Sequence, residues 1–329
     1  MTPESCHDAI TQSFVTLGLP AFSIVGRAVI DDIASIADPE ALRRYGFRDS
    51  AGAVVVVFPY DPRPDVQPSS LDAHNSEAAK GPPPYIRVGA FAAWNHYAAL
   101  SRLLQKAGRM LAASSGLAPS GFRVIVNSRL PEKPLALAAG LGFIGRSSLL
   151  VSHAYGPACL IAALLLPAEY ELGVNGGLGV NNDIAGGGCG TCRACLEACP
   201  TGAILPDHGV ELERCIQYWT TKPGMPPAVV RAAWADRLYG CDACVAACPH
   251  SARATVLGPD GTSPVSRARA LMLRSEQRPG SFISASFIFA ASDEQLRLFF
   301  KKTALGLSWV GLEEVRRNAE LASPSHSLT

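Results

Sequence analysis

Eight of the ten cysteines lie between Cys189 and Cys248, and their spacing constrains this chain more than any other feature. Cys189, Cys192, Cys195 and Cys199 form a C-x2-C-x2-C-x3-C run closed by Pro200. Cys215 follows, and then Cys241, Cys244 and Cys248, closed by Pro249. This is the pattern that holds two 4Fe–4S clusters, in which the fourth cysteine of each run ligates the other cluster. A Cys-x-x-Cys turn lets successive thiolates reach different iron corners of one cube. On that logic Cys189, Cys192, Cys195 and Cys248 hold one cluster, and Cys199, Cys215, Cys241 and Cys244 hold the other. The crossover would staple the two runs face to face and bring two electron carriers close together.

Other uses of cysteine fit less well. A disulfide framework suits a short secreted domain. This chain has 329 residues, and Met1–Ser13 is polar where a secretory signal would be apolar. Zinc rarely takes eight thiolates with two Cys-Pro endings. Cys6 and Cys159 fall outside the pattern, and Cys159 reads as a small core residue. A reducing, low-oxygen, cytoplasmic compartment is expected.

A hydrophobic content of 48% is ample for a sizeable core, and the length suits two domains or one with an insert. The longest apolar run, Ala158–Pro167, is about half of a membrane span, so no membrane partner is expected. Lys+Arg 29 against Asp+Glu 28 leaves a net charge of +1. That gives no global basic field for nucleic acid, though a local patch stays open.

Residues 1–172 read as mixed α/β. Pro3–Leu17 and Phe91–Leu111 have helical spacing; Ala21–Ile30, Ala53–Phe58, Phe122–Val126, Ser148–Ser152 and Ala158–Leu166 read as strands. The β-branched run Val54–Val57 is what a strand buried on both faces needs. Pro59–Pro84, with seven prolines, reads as a functional loop. Residues 173–188 are a glycine-rich linker, and residues 189–257 a ferredoxin-like segment with a helix over Pro226–Leu238. Residues 258–329 form a C-terminal helical region over Phe282–Ala322, where Leu296, Phe299, Phe300, Leu312 and Val315 supply apolar faces.

Three further motifs invite a function. Gly140, Gly142 and Gly145 match G-x-G-x-x-G, but a dinucleotide site needs a strand before and a helix after. Here Leu135–Ala139 is helical and Ser148–Ser152 a strand, so a turn whose backbone approaches some other ligand fits better. Asp72 and His74 resemble an axial-histidine signature, but Glu77 stands where that needs glycine, which leaves a chance match. Trp94–Tyr97 is either a half-buried stretch of helix with a core tyrosine or a substrate or cofactor contact.

In this order the motifs resemble the epoxyqueuosine reductase family, cobalamin and iron–sulfur enzymes related to reductive dehalogenases. The resemblance runs from Ala21 to Ala322. It is carried by Leu130–Lys133 through Gly140–Arg146, by Cys199–Ile204, Cys215–Thr220 and Tyr239–Cys244, and by Ser308–Asn318 as the start of the family's C-terminal helices. It implies an α/β (α+β) N-terminal domain of cobalamin-binding type, a bacterial ferredoxin-like insert with two 4Fe–4S clusters, and a short C-terminal helical region. The corrinoid would meet Asn127, Gly140, Gly142, Gly145 and Arg146. Glu132, Tyr97 and His96 are the candidate catalytic groups; Glu132 otherwise reads as a structural ion pair with Lys133 or Arg146. The implied partners are a tRNA, whose modified wobble base carries the epoxide, and a low-potential donor such as ferredoxin or flavodoxin.

Two departures bear on the substrate. Asn127 stands where the family has a catalytic aspartate, and an amide cannot act as a general acid. The sequence stops at Thr329, soon after the first C-terminal helices, without the family's further tRNA-gripping repeats. Both favour the alternative of the same cofactors acting on a small non-tRNA molecule. A plain ferredoxin-type electron carrier would have no need of residues 1–172.

Overall fold

The computed structural model describes residues 3–63, 85–172, 188–207, 209–276, 279–306 and 310–323. Asp72, His74, Glu77, Ser308, Trp309 and most of the proline-rich and glycine-rich stretches lie outside these residues.

Val54–Val57 forms the middle of β2 (Ser50–Pro59) and is wholly buried. Each of these side chains contributes about 1.5–3 kcal/mol by leaving water. β2 pairs antiparallel with β1 (Phe22–Gly26) on one side and with β7 (Cys159–Pro167) on the other, where Val54 lies opposite Leu164. β4 (Arg123–Val126) closes the far edge, giving the antiparallel order β1-β2-β7-β4. Helices Pro3–Thr16 and His96–Ser115 pack together, and the second lies against β4 and β7. β5 (Gly142–Ile144) and β6 (Leu150–Ser152) make a separate hairpin.

β1 ends at Gly26, short of the strand expected to Ile30. From Arg27 the apolar residues Ile30, Ile33 and Ala34 fall at helical spacing, and the helix Arg27–Ile36 buries them. The helix expected over Phe91–Leu111 is also interrupted. A short helix, Ala90–Ala93, stops at extended Trp94, and the Asn95 N–H donates to the Glu276 carbonyl at 2.6 Å. The Asn95 side-chain oxygen then accepts the Ala98 N–H at 3.1 Å and starts the long helix, which ends at Gly116 in the left-handed region (φ 75°). His96 and Tyr97 therefore sit in its first turn.

A second sheet has three strands. β3 (Tyr85–Val88) pairs in parallel with β8 (Arg237–Tyr239) and antiparallel with β9 (Phe282–Ser284). Each strand comes from a different stretch of the chain, so this sheet ties the cysteine-rich segment to both its flanks. The helix expected over Pro226–Leu238 shrinks to Ala228–Ala232 as a result. Trp234 is fully buried, Ala235 turns at φ 53°, and the Trp234 indole N–H donates to the Arg237 carbonyl at 2.6 Å.

Helices Ala285–Ala290, Asp293–Phe300 and Leu312–Ala322 complete the described chain, with Leu296, Phe300, Leu312 and Val315 buried as their spacing requires. No helix among the described residues is long and apolar enough to cross a membrane.

Candidate functional site

The cysteines sit on short, matching turns. The Cys192 N–H donates to the Cys189 carbonyl at 2.9 Å, the helix Ala194–Glu197 carries Cys195, and Ala243–Ala246 carries Cys244. These two helices pack against each other. Cys189, Cys192, Cys195 and Cys248 line one cavity with Gly145, Arg146 and His250. Cys199, Cys215 and Cys241 open instead onto a much larger cavity, and Cys244 borders both.

Burial first, and then the neighbouring Cys241, Cys215 and Cys195, push Cys244 up to about 12. Burial likewise raises Cys195, Cys215 and Cys248, each of which also feels other members of its group. Burial would raise Cys199 too, but the N–H groups of Thr201, Ala203 and Ile204 and the Thr201 hydroxyl outweigh it and lower it. Crowded, desolvated thiols that repel one another as anions are what bound iron relieves, since a metal holds its thiolates deprotonated. Among the described residues no three His, Cys, Asp or Glu side chains converge on a single ion. Backbone donors already address the sulfurs: Arg146 N–H to Cys189 Sγ at 3.4 Å and Ala203 N–H to Cys199 Sγ at 3.2 Å. Such bonds tune a cluster's potential.

The large cavity, of about 770 Å³, lies between the ends of the main sheet and the cysteine segments. Its walls are mostly apolar, with Phe91, Leu130, Leu149, Leu160, Ile161 and Val245 among them. Volume and lining suit a large cofactor, for which pockets run to about 1,000 Å³. Glu132, Tyr97 and Asn127 all face it. Glu132 opens the helix Glu132–Ala138, and its Oε1 accepts the Ser128 N–H at 2.7 Å. Burial nevertheless pushes its carboxyl up to about 7. It pairs with neither expected cation. Lys133 Nζ donates to the Ser148 carbonyl at 2.9 Å, and the Arg146 guanidinium donates to the Gly190 carbonyl at 2.8 Å and to that of Pro206. Asn127 holds a left-handed backbone (φ 49°), a conformation asparagine tolerates better than most. Burial keeps the Tyr97 phenol far above its ordinary range.

Other candidates are placed elsewhere. His96 is buried, with the Phe58 and Tyr60 rings 6.1 and 6.2 Å from its own, and lines a separate small pocket. Burial first, and then Arg269, pushes its imidazole down to about 3, so the ring is uncharged at neutral pH and keeps a single N–H. Gly140, Gly142, Gly145 and Arg146 do not border the large cavity. Gly140 ends the Glu132–Ala138 helix region at φ 68°. A Cβ on Gly142 would lie 2.3 Å from the Val151 carbonyl oxygen, so this glycine allows the β5–β6 hairpin to close. Gly145 brings the backbone against Cys189, where a Cβ would stand 3.6 Å from the sulfur. Of these three glycines Gly145 lies against a cysteine, while Gly140 and Gly142 shape the turn and the hairpin.

The sequence reading missed Asp242, Tyr60 and Cys159, which also line the large cavity. Asp242 accepts the Ala90 N–H at 2.7 Å, and burial pushes it up to about 6. Its position inside Cys241–Cys244 was the available signal. Cys159, read as core, is pushed up to about 12 by burial.

Residues 188–251 match the family model of a 4Fe–4S double cluster binding domain. The chain is 34% identical over 172 residues to the epoxyqueuosine reductase of Shigella dysenteriae, covering 52% of this chain and 42% of that protein. It is 36% identical over 138 residues to that of Shewanella oneidensis, covering 41% and 32%. The matched region thus spans less than half of these curated relatives. A crystal structure of epoxyqueuosine reductase with an epoxyqueuosine-modified tRNA-Tyr stem loop superposes with a TM-score of 0.68 at 19% identity, covering 98% of this chain and 82% of that one. The mixed helix and strand fold is shared, and the resemblance to epoxyqueuosine reductases read from the sequence is borne out.

Proposed function

We propose that this chain is an iron–sulfur and cobalamin-dependent reductase that converts epoxyqueuosine in tRNA to queuosine, the activity for which its relatives are named. One observation supports it most. Glu132 and Tyr97 share a single cavity with Cys199, Cys215, Cys241 and Cys244, so a proton donor and an electron source would face the same bound molecule.

Cys189, Cys192, Cys195 and Cys248 would hold the outer cluster, and Cys199, Cys215, Cys241 and Cys244 the one beside the cavity. A corrinoid in that cavity would supply a low-valent cobalt centre, a strong nucleophile and reductant. Reducing the epoxide to the alkene takes two electrons and two protons and releases one water. Glu132 is the group placed to protonate the departing oxygen: its carboxyl is poised near neutral pH, where a general acid works best. Burial raises the Tyr97 phenol far above its ordinary range, so it would orient the departing oxygen through a hydrogen bond rather than give up its proton. Asn127 can orient a substrate oxygen through its amide but cannot protonate it. The apolar walls exclude water that would otherwise compete for the reduced centre. Tyr85–Val88 and the cysteine segment share a sheet, so the cavity's two sides are held in register. The electrons would come from a low-potential ferredoxin or flavodoxin.

Anaerobic incubation of the reconstituted protein with an epoxyqueuosine stem loop, read by nucleoside mass, tests this. Loss of one oxygen supports it. An unchanged nucleoside, with clusters reduced and cobalamin bound, would favour the small-molecule substrate that Asn127 suggests.

A further inference from the structure

Cys215 and Cys241 are far apart in sequence, and what fixes one against the other is outside the cysteine motif. Cys215 leads directly into the helix Ile216–Trp219, and β8 leads through Gly240 into Cys241. Two bonds join these segments locally: Cys241 N–H to Gln217 Oε1 at 3.2 Å and Gly240 N–H to Thr220 Oγ1 at 3.4 Å.

The helix Leu312–Ala322 adds a third tie from behind. Asn318 is fully buried, and its Nδ2 donates to the Thr220 carbonyl and to the Leu238 carbonyl, each at 2.9 Å. One side-chain amide thus bridges the end of the Cys215 segment and the strand that delivers Cys241. Its Oδ1 accepts from Arg317 Nε at 3.1 Å and Nη2 at 2.7 Å. Arg317 in turn donates to the carbonyls of Trp219 and Lys222, each at 2.6 Å, and to that of Gly224. The Trp219 carbonyl is one that the short helix Ile216–Trp219 leaves unpaired at its end, and the other two belong to the turn that follows it. Only asparagine or glutamine offers two donors and an acceptor on one short side chain, so aspartate or leucine cannot replace it here. Val315 and Ala319 pack in the same cluster as Leu238 and Tyr239, which seats the helix on β8.

We propose that Asn318, oriented by Arg317, is a positioning residue for the cluster beside the cavity, setting the separation of Cys215 from Cys241 and Cys244. This rests on the ligand sets proposed above. None of the described hydrogen bonds of Arg317 or Asn318 falls on the Cys189–Cys199 run, and those they make flank Cys215 and Cys241, several residues before Cys248, so the effect falls on one cluster.

The test is an anaerobic redox titration followed by electron paramagnetic resonance, with iron content and a thermal melt as companions. Cys189→Ala and Cys215→Ala serve as references that identify the two signals. Asn318→Ala should shift the midpoint or line shape of the signal lost in Cys215→Ala and leave the other unmoved. Arg317→Lys, a milder change that keeps the charge, should shift the same signal less, and it carries the test should Asn318→Ala not fold. Both signals unmoved, or both shifted alike, would overturn the proposal. If the two reference variants remove the same signal, the ligand sets fail, and the positioning role fails with them.

Discussion

The carboxylate of Glu132 accepts the backbone N–H of Ser128 at 2.7 Å, yet its ionisation is raised to about 7. Desolvation in the cavity wall outweighs a hydrogen bond that alone would favour the anion. A carboxylic acid still protonated near neutral pH is the most informative group in the site.

Turnover should therefore fall as pH rises through about 7, and Glu132→Gln should cost about a hundredfold or more, the usual weight of a general acid. Cobalamin retention and iron content should not change. A pH–rate profile of both proteins checks this; turnover that survives the substitution would move the proton donor elsewhere.

The same group affects stability. Its folded pKa lies above the ordinary 4.5, so the folded state binds this proton more tightly than the unfolded one. The associated stability is complete below about 4.5 and is lost as pH rises through about 7. Glu132→Gln should therefore be relatively more stable than the parent at pH values above about 7. Melting curves at acidic and alkaline pH measure it.

Cys215→Ala should lower iron and sulfide by about one cluster, leaving the other signal in place. Cys159→Ala, which lines the same cavity but lies outside the spacing, should leave iron unchanged. Unaltered iron in Cys215→Ala would break the crossover.

Gly142→Ala should destabilise the fold by about 1–3 kcal/mol, because the new Cβ meets the Val151 carbonyl oxygen at 2.3 Å and backbone must shift. The hairpin seats Arg146 N–H on Cys189 Sγ, so the signal assigned to the Cys189 cluster should broaden as well. A melt and a resonance spectrum of the variant suffice.

Much of the fold is legible in the sequence alone. Cysteine spacing is a local property, so the double-cluster domain declared itself, and Val54–Val57 declared the central strand. What failed depended on distant partners. The helix over Phe91–Leu111 breaks because Asn95 N–H bonds Glu276, and that break sends Tyr97 to the cavity and His96 to the core. Neighbouring residues in a sequence give no sign of which one a cap will turn inward. The glycines of Gly140–Gly145 signalled close approach, but not to what; the hairpin they form meets Cys189 rather than the cavity. Asp242 passed unnoticed because two cysteines of the second run frame it.

The most direct measurement is metal stoichiometry. The protein is reconstituted anaerobically with iron and sulfide, mixed with cobalamin, and freed of unbound corrinoid on a desalting column. A corrinoid site beside the clusters predicts about eight irons and about one cobalt per chain, with a base-off spectrum that dithionite reduces. About eight irons with no cobalt retained would contradict it, and the cavity behind Glu132 would belong to another ligand.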